Sequence, residues 1–217
     1  MIAELLKEHC SAFELKLSEE NLQLFCLLAS EMKKWNMKIN LTAITDDKEI
    51  AVKHFIDSLH LAAHILSDDY LLDIGSGAGF PVFPLKIVKP DIAMASVDAV
   101  IKKINFQKHI VRTLKLHAIE VLHTRIEDLA KSRSQKFSLI TSRAFSSLEH
   151  FVSVAAPLLS PMGRLIAMKG AGADQEIEAS RTALMDLGFT VVSRLRYSLP
   201  YSMGERTLTT LRRCEGA

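Results

Sequence analysis

Apolar residues before residue 67 recur at three- and four-residue steps, which is the period of one helix face. The clearest run consists of Leu22, Phe25, Leu28, Met32 and Trp35. Ser18 stands just before this run, where a hydroxyl can cap the first turn of a helix. The pattern predicts that residues 1–66 form a helical N-terminal extension, interrupted around Asn36–Asp46.

From residue 67 onward the pattern changes to short apolar runs separated by helix-length segments. The runs predict strands at Tyr70–Ile74, Ala93–Asp98, Ile119–His123, Phe137–Thr141 and Gly163–Met168. Ile101–Leu116 and Asp174–Leu187 are long enough to be crossover helices. Strands that alternate with helices favour a parallel sheet built of right-handed crossovers.

Two further runs, Thr190–Tyr197 and Arg206–Arg213, leave no room for a helix between them. They predict an antiparallel hairpin whose turn lies around Met203 and Gly204. This hairpin completes a mostly parallel sheet of seven strands. We therefore expect an α/β fold with a Rossmann-like core at residues 67–217, forming one compact unit.

The composition fits a folded domain, since 48% of the 217 residues are apolar and 24% are charged. No stretch approaches the ~18 consecutive apolar residues of a membrane span, and the N-terminus does not resemble a secretory signal. The three cysteines are far apart and outside any C-x-x-C spacing, which argues against a disulfide framework or a zinc site. We expect a cytoplasmic protein.

The formal net charge of +2 is too small to require a polyanionic partner by itself. Basic residues form two groups, Lys33, Lys34 and Lys38, and Lys108, Arg112 and Lys115. The second group has the spacing of one helix face. Taken by itself, this group is explained by a helix face exposed to solvent.

A glycine turn follows the first predicted strand, where Asp73 precedes Gly75, Gly77 and Gly79. Glycine removes Cβ and permits positive φ, so a ligand can lie against the backbone. The G-x-G-x-G spacing differs from that of dinucleotide folds, which favours S-adenosylmethionine over NAD. Asp98 ends the second predicted strand, where its carboxylate can accept hydrogen bonds from both ribose hydroxyls. For the glycines alone, a tight βα turn without a ligand is the alternative.

Two other strand ends carry candidate chemistry. After the third predicted strand, Ile126 and Glu127 can meet the edge of an adenine ring, although acidic residues there also suit a helix N-terminus. Arg143 follows the fourth predicted strand, beside the switch point of the sheet. This position lacks the Asn- or Asp-Pro-Pro-aromatic run common in amine methylation and the cysteine nucleophile of cytosine-carbon methylation.

Six short strings in the chain occur in an order that resembles one known family. They are KWNMKINLT (Lys34–Thr42), HFIDS (His54–Ser58), DIGSGAGFP (Asp73–Pro81), TSRAFSSL (Thr141–Leu148), MKG (Met168–Gly170) and GERTL (Gly204–Leu208). They resemble the ribosomal RNA small subunit methyltransferase G family, also called glucose-inhibited division protein B. KWN-x-x-x-NLT and SRAF are the specific strings. One departure is Val82, which stands where the family usually has the last glycine of G-x-P-G.

The resemblance implies a class I S-adenosylmethionine-dependent methyltransferase that modifies guanine N7 in 16S ribosomal RNA, free or in a small-subunit particle. It implies cofactor contacts at Gly75, Phe80, Ile126, Glu127 and Arg143. The argument from the turn and the strand ends adds Asp73, Gly77, Gly79 and Asp98. Substrate contacts are expected at Lys34, Asn36, Asn40 and Lys169. We expect a monomer.

Guanine N7 carries an in-plane lone pair that is unprotonated at neutral pH, so its methylation requires no general base. Catalysis is then mainly proximity and alignment, which supply ~7 to 11 kcal/mol in well-oriented systems. Arg143 is the first candidate for orienting the cofactor and the base, since a guanidinium can also contact guanine O6. A small-molecule or protein substrate, or a non-catalytic RNA-binding module, is the alternative that the residues alone leave open.

Several polar residues close the N-terminal extension: His54, Asp57, His60 and His64. The last three have the spacing of one helix face, and we interpret them as polar contacts on a helix surface rather than as a metal site. No metal is expected. Trp35 is predicted to anchor the core, with stacking on RNA as the alternative.

Overall fold

The computed structural model describes residues 1–143 and 145–214, and its centre is a seven-stranded sheet. The strands are β1 (Tyr70–Ile74), β2 (Ala93–Asp98), β3 (Ile119–His123), β4 (Phe137–Arg143), β5 (Leu159–Lys169), β6 (Phe189–Ser198) and β7 (Glu205–Arg213). Their order is β3-β2-β1-β4-β5-β7-β6. The first five run parallel, and β7 is antiparallel to both of its neighbours. The predicted mostly parallel sheet and its final hairpin are confirmed.

Helices cover both faces of the sheet. They are α1 (Ile2–Cys10), α2 (Glu19–Ile39), α3 (Asp47–Glu49), α4 (Asp57–Leu59), α5 (Val82–Val88), α6 (Ile101–Thr113), α7 (Ile126–Ser132), α8 (Leu148–Ala155) and α9 (Ala173–Asp186). A π-helix at Ile50–Ile56 joins α3 directly to α4. Short 3₁₀ turns lie at Ser11–Phe13, Ala62–His64 and Pro200–Ser202. In the part of the chain that the structure describes, no helix combines the length and the apolar character that crossing a membrane requires.

The ends of two helices differ from the sequence predictions. Helix α2 continues through Asn36 and ends at Ile39, and the left-handed backbone of Asn40 (φ 49°) forms its C-cap, so the predicted interruption begins too early. Helix α6 ends at Thr113, and Lys115 follows it with φ 52°. The prediction that Lys115 shares a helix face with the two basic residues before it was therefore wrong, because the helix stops first.

The sheet has an apolar core on each face. Successive strand residues point to opposite faces: Leu71 packs with the N-terminal helices, α5 and α6, whereas Leu72 packs with α7, α8 and α9. The N-terminal extension thus shares a core with one face of the sheet. The division at residues 66 and 67 stays a prediction.

The strand order reverses beside β1, which pairs with β2 on one side and β4 on the other. In sheets of this kind, ligands bind at the carboxyl ends of the strands next to that reversal. The segments that follow β1 to β4 therefore border one crevice.

Candidate functional site

The turn after β1 is held against β2 and opens toward the crevice. Its glycines all have positive φ, 67° at Gly75, 59° at Gly77 and 84° at Gly79. The amide of Gly75 donates to the carbonyl of Val97 over 2.9 Å. A Cβ on Gly75 would meet nothing within 4 Å, whereas one on Gly79 would lie 2.1 Å from Cδ2 of Phe83. Gly75 thus leaves space for a ligand, while Gly79 is required by internal packing.

Side chains from β2 and α6 fix the turn. Oδ2 of Asp98 accepts from the amide of Gly77 over 3.0 Å, and its Oδ1 accepts from the amide of Val100 over 2.8 Å. A carboxylate has about four acceptor sites, so Asp98 can still accept from a ligand. Gln107, fully buried on α6, donates to Oγ of Ser76 and to the carbonyl of Gly77, each over 2.8 Å. The turn is therefore preorganised.

Sequence reasoning missed Gln107, although a signal was present. The buried face of α6 reads Ile104, Gln107, Ile110, so an amide stands where the helical period requires an apolar side chain. A polar residue at such a position needs buried partners.

Asp73 lies in β1 just before the turn and is fully buried. Neither carboxylate oxygen has a hydrogen-bond partner among the described residues. Burial raises the pKa of Asp73 to about 8, and the positive charge of Arg143 and the nearby backbone amide of Val82 oppose that shift. An unpartnered buried carboxylate is costly, and a ligand ammonium group would satisfy it.

A cavity of about 380 Å³ opens at the carboxyl ends of β1, β2 and β3. This is within the roughly 300 to 1,000 Å³ of small-molecule sites. Its walls include Gly75, Asp98, Ile126, Glu127, Phe145 and His150. The structure thus brings together four of the predicted cofactor residues, and it adds the two aromatic rings that sequence reasoning missed. Those rings lie 5.1 Å apart, centroid to centroid.

Arg143 ends β4 and points toward the N-terminal extension. Its Nη1 donates to the carbonyl of Lys53 over 2.9 Å, and Nη2 lies 3.2 Å from Nδ1 of His54. Its guanidinium lies 5.3 Å from the ring centroid of Phe80, which stacks on the His54 ring at 4.5 Å. The Phe80 ring therefore packs against both the Arg143 guanidinium and the His54 ring. Ala144, in the SRAF string, lies outside the described residues.

His54 and Asp57 are buried, at 5% and 3% exposure. The interpretation of Asp57 as a helix-surface contact was wrong, because the extension packs this helix against the sheet. Burial and the charge of Arg143 lower the pKa of His54 to about 3, so the ring is neutral. Asp57 Oδ2 lies 3.7 Å from Nη1 of Arg143. His60 stacks on Tyr197, with ring centroids 3.8 Å apart.

The predicted substrate residues separate into two groups. Lys34 is exposed and pairs with Glu31, and Asn40 is the exposed cap of α2. Asn36 and Lys169 instead make internal contacts, because Asn36 accepts from the amide of Thr42 over 2.9 Å and Lys169 pairs with Glu176 over 2.7 Å. Contacts of these residues with a substrate stay predictions.

Trp35 and Val82 belong to the same apolar core, Trp35 half-buried and Val82 fully buried. Trp35 packs against Phe106 and His109, with ring centroids 5.7 and 5.1 Å apart, as expected of a core anchor. Val82 begins α5 and is fully buried, so its side chain belongs to the core beneath the turn.

Comparison with known proteins agrees with this geometry. The family model described as rRNA small subunit methyltransferase G, GidB, matches residues 21–198. The ribosomal RNA small subunit methyltransferase G of Geobacter sulfurreducens is 50% identical over 210 residues, which cover 97% of each chain. The protein of the same name from Geotalea uraniireducens is 51% identical over 197 residues, covering 91% of this chain and 90% of its relative.

Solved structures share the fold at low identity. An S-adenosylmethionine-dependent methyltransferase from Aquifex aeolicus superposes with a TM-score of 0.57 at 17% identity, covering 84% of this chain and 97% of that one. A ribosomal protein L11 methylase from Lactobacillus delbrueckii gives 0.57 at 14% identity, covering 79% and 81%. From its family match and its relatives, this chain belongs to the rRNA small subunit methyltransferase G family and is an S-adenosylmethionine-dependent methyltransferase.

Proposed function

We propose that this protein transfers the methyl group of S-adenosylmethionine to N7 of one guanine in small-subunit (16S) ribosomal RNA. The names of its relatives support the RNA substrate. The observation that carries the proposal is the juxtaposition, at one sheet edge, of a cofactor-sized cavity and the half-buried cation Arg143.

The residues present fit the cofactor. Asp98 has acceptor capacity for the ribose hydroxyls, and the cavity wall at Ile126 and Glu127 suits the adenine edge. The open backbone at Gly75 and the unpartnered carboxylate of Asp73 suit the amino-acid part, whose ammonium group supplies the missing donor. Bound there, S-adenosylmethionine supplies an electrophilic sulfonium methyl group.

The protein's own part in the reaction is alignment. Guanine N7 attacks without first losing a proton, so no side chain has to act as a base. His54 is unsuited to that role, because its Nδ1 faces Arg143 and its Nε2 lies 3.1 Å from Oγ1 of Thr42. Arg143 orients the reacting groups through donors whose positions are fixed. Holding the groups in line in this way reduces the entropic cost of bringing them together for the reaction.

Alanine substitutions at the two outer glycines of the turn, Gly75 and Gly79, are expected to affect cofactor binding and stability differently. We expect Gly75→Ala to weaken cofactor binding by about 10-fold or more, since its Cβ enters the ligand space, while the left-handed backbone costs only about 1 to 2 kcal/mol of stability. Gly79→Ala adds a clash with Phe83, which costs a further ~1 to 3 kcal/mol. Titration calorimetry and thermal unfolding separate the effects. Unchanged cofactor affinity in Gly75→Ala would contradict this placement.

The reaction itself is tested by mapping the product. Purified protein is incubated with S-adenosylmethionine and either naked 16S RNA or small-subunit particles, and modified nucleotides are located by mass spectrometry. We expect one guanine to gain one methyl group, and the RNA chain to become cleavable there by aniline after reduction, as N7-methylation requires. Methylation at an amine or a ring carbon, or of protein only, would overturn the proposal.

We also propose that the protein acts in the cytoplasm and that it acts as a monomer. Both stay predictions.

A further inference from the structure

We propose that Asp57 and His54, both in the N-terminal extension, are positioning residues that hold the Arg143 guanidinium in place for methyl transfer. This inference rests on the proposed function, because it needs Arg143 to orient the reacting groups. Neither residue is required to touch the cofactor or the RNA.

Asp57 joins three parts of the chain through one buried carboxylate. Oδ2 lies 3.7 Å from Nη1 of Arg143 at the end of β4. Oδ1 accepts from the hydroxyl of Tyr197 on β6 over 2.8 Å and lies 3.5 Å from Nε of Arg206 on β7. Burial raises the pKa of Asp57, and both guanidinium groups oppose that shift.

This arrangement is poorly explained by stability alone. Buried ion pairs can often be replaced by apolar residues without loss of stability, because desolvation offsets the attraction between the charges. Here one carboxylate lies between Arg143 and Arg206, which repel each other. Such a network fixes the position of a guanidinium at the edge of the sheet where the cofactor cavity opens.

His54 supplies the second restraint through a defined tautomer. A guanidinium can only donate, so Nδ1 of His54 must accept from Arg143 and the proton must be on Nε2. Nε2–H then donates to Oγ1 of Thr42 over 3.1 Å. The amide of Thr42 in turn donates to Oδ1 of Asn36 on α2. The KWN-x-x-x-NLT string thus orients the ring that restrains the arginine.

The π-helix provides the third acceptor. In an α-helix the amide of Asp57 would donate to the carbonyl of Lys53, four residues earlier. Here that amide donates to the carbonyls of Val52 and His54, and the Lys53 carbonyl accepts from Arg143. Single π-turns occur frequently at functional sites. The wider turn therefore presents a backbone acceptor that a regular helix would use internally.

The first test is a double-mutant cycle measured by single-turnover methylation at saturating cofactor and RNA. We expect Asp57→Asn to slow the step by about 10-fold or more, as small misplacements at a reaction centre do. In an Arg143→Ala background the same change should cost about 2-fold or less, because Asp57 acts through the arginine. Equal losses in both backgrounds, or no loss in the wild-type background, would overturn the inference.

A matched control separates positioning from stability. Asp69 is also buried and pairs with Arg164 over 2.5 Å, but it precedes β1 at the opposite end of the strand. We expect Asp69→Asn to lower the melting temperature while leaving the single-turnover rate of the folded protein unchanged. A similar rate loss in Asp69→Asn and Asp57→Asn would show that general destabilisation is the cause.

His54 variants keep the test decisive if Asp57→Asn folds poorly. His54→Asn retains an acceptor in the place of Nδ1, whereas His54→Leu removes it, and both remove the ring that stacks on Phe80. We expect Asn to preserve more than about one third of the rate and Leu to lose about 10-fold. Equal rates in the two variants contradict the role of His54.

The failure of this inference is distinguishable from the failure of the proposed function. If Arg143→Ala is fully active, the proposed role of Arg143 fails. If Arg143→Ala is inactive while Asp57→Asn is fully active, only this inference fails.

Discussion

Arg143→Ala is expected to slow methyl transfer by about 100-fold at saturating cofactor and RNA, because alignment is the main contribution the protein makes to the reaction and misplacement by about 1 Å can cost that much. The variant should still fold. Asp57 keeps two of its partners, the hydroxyl of Tyr197 and the guanidinium of Arg206. The measurement is single-turnover transfer of labelled methyl groups, with circular dichroism to establish folding.

Two comparisons make this result specific. Arg143→Lys keeps the charge but loses the forked donors that reach Lys53 and His54, so we expect a rate between those of the alanine variant and the wild type. Arg164→Ala removes a more deeply buried arginine, paired with Asp69 away from the site, and should leave the rate of the folded protein unchanged. Full activity in Arg143→Ala would exclude the role proposed for this residue.

Asp73→Asn is expected to weaken S-adenosylmethionine binding by about 10- to 100-fold, since it removes a charged acceptor whose hydrogen bonds are worth roughly 1.5 to 3 kcal/mol. The same change should stabilise the ligand-free protein at alkaline pH. The pKa of Asp73, raised to about 8 by burial, exceeds the value of about 3.9 in an unfolded chain. Its contribution to stability is therefore complete below about pH 4 and is lost as the pH rises to about 8.

Asparagine does not titrate, so the melting temperature of the variant should rise relative to the wild type across that pH window and then level off. Other ionisable groups are common to both proteins and cancel in the difference. The measurements are thermal unfolding without cofactor at several pH values and calorimetric titration with S-adenosylmethionine. Normal cofactor affinity in the variant would rule out Asp73 as the partner of the ammonium group.

Much of this fold follows from local sequence pattern. The bounds of β1 and β2 agree with the prediction because buried parallel strands are short apolar runs bounded by turn residues and helices. The bounds of β3 also agree, although this edge strand is only half-buried. The glycine turn and Asp98 were also recognisable, since both lie at fixed distances from the strands that carry them. The local pattern did not predict where α2 ends, because the helix is terminated by the left-handed cap Asn40 and not by a glycine or proline.

The sequence by itself therefore determined the mostly parallel sheet, the glycine turn and the family. Only the tertiary structure decided that His54 and Asp57 lie buried against Arg143, and that Gln107 secures the turn. The physical reason is that strand periodicity and glycine spacing are local properties of the chain. Contacts such as Asp57 with Arg143 and Arg206 join residues far apart in sequence, and their distances exist only once the helical extension packs against the sheet.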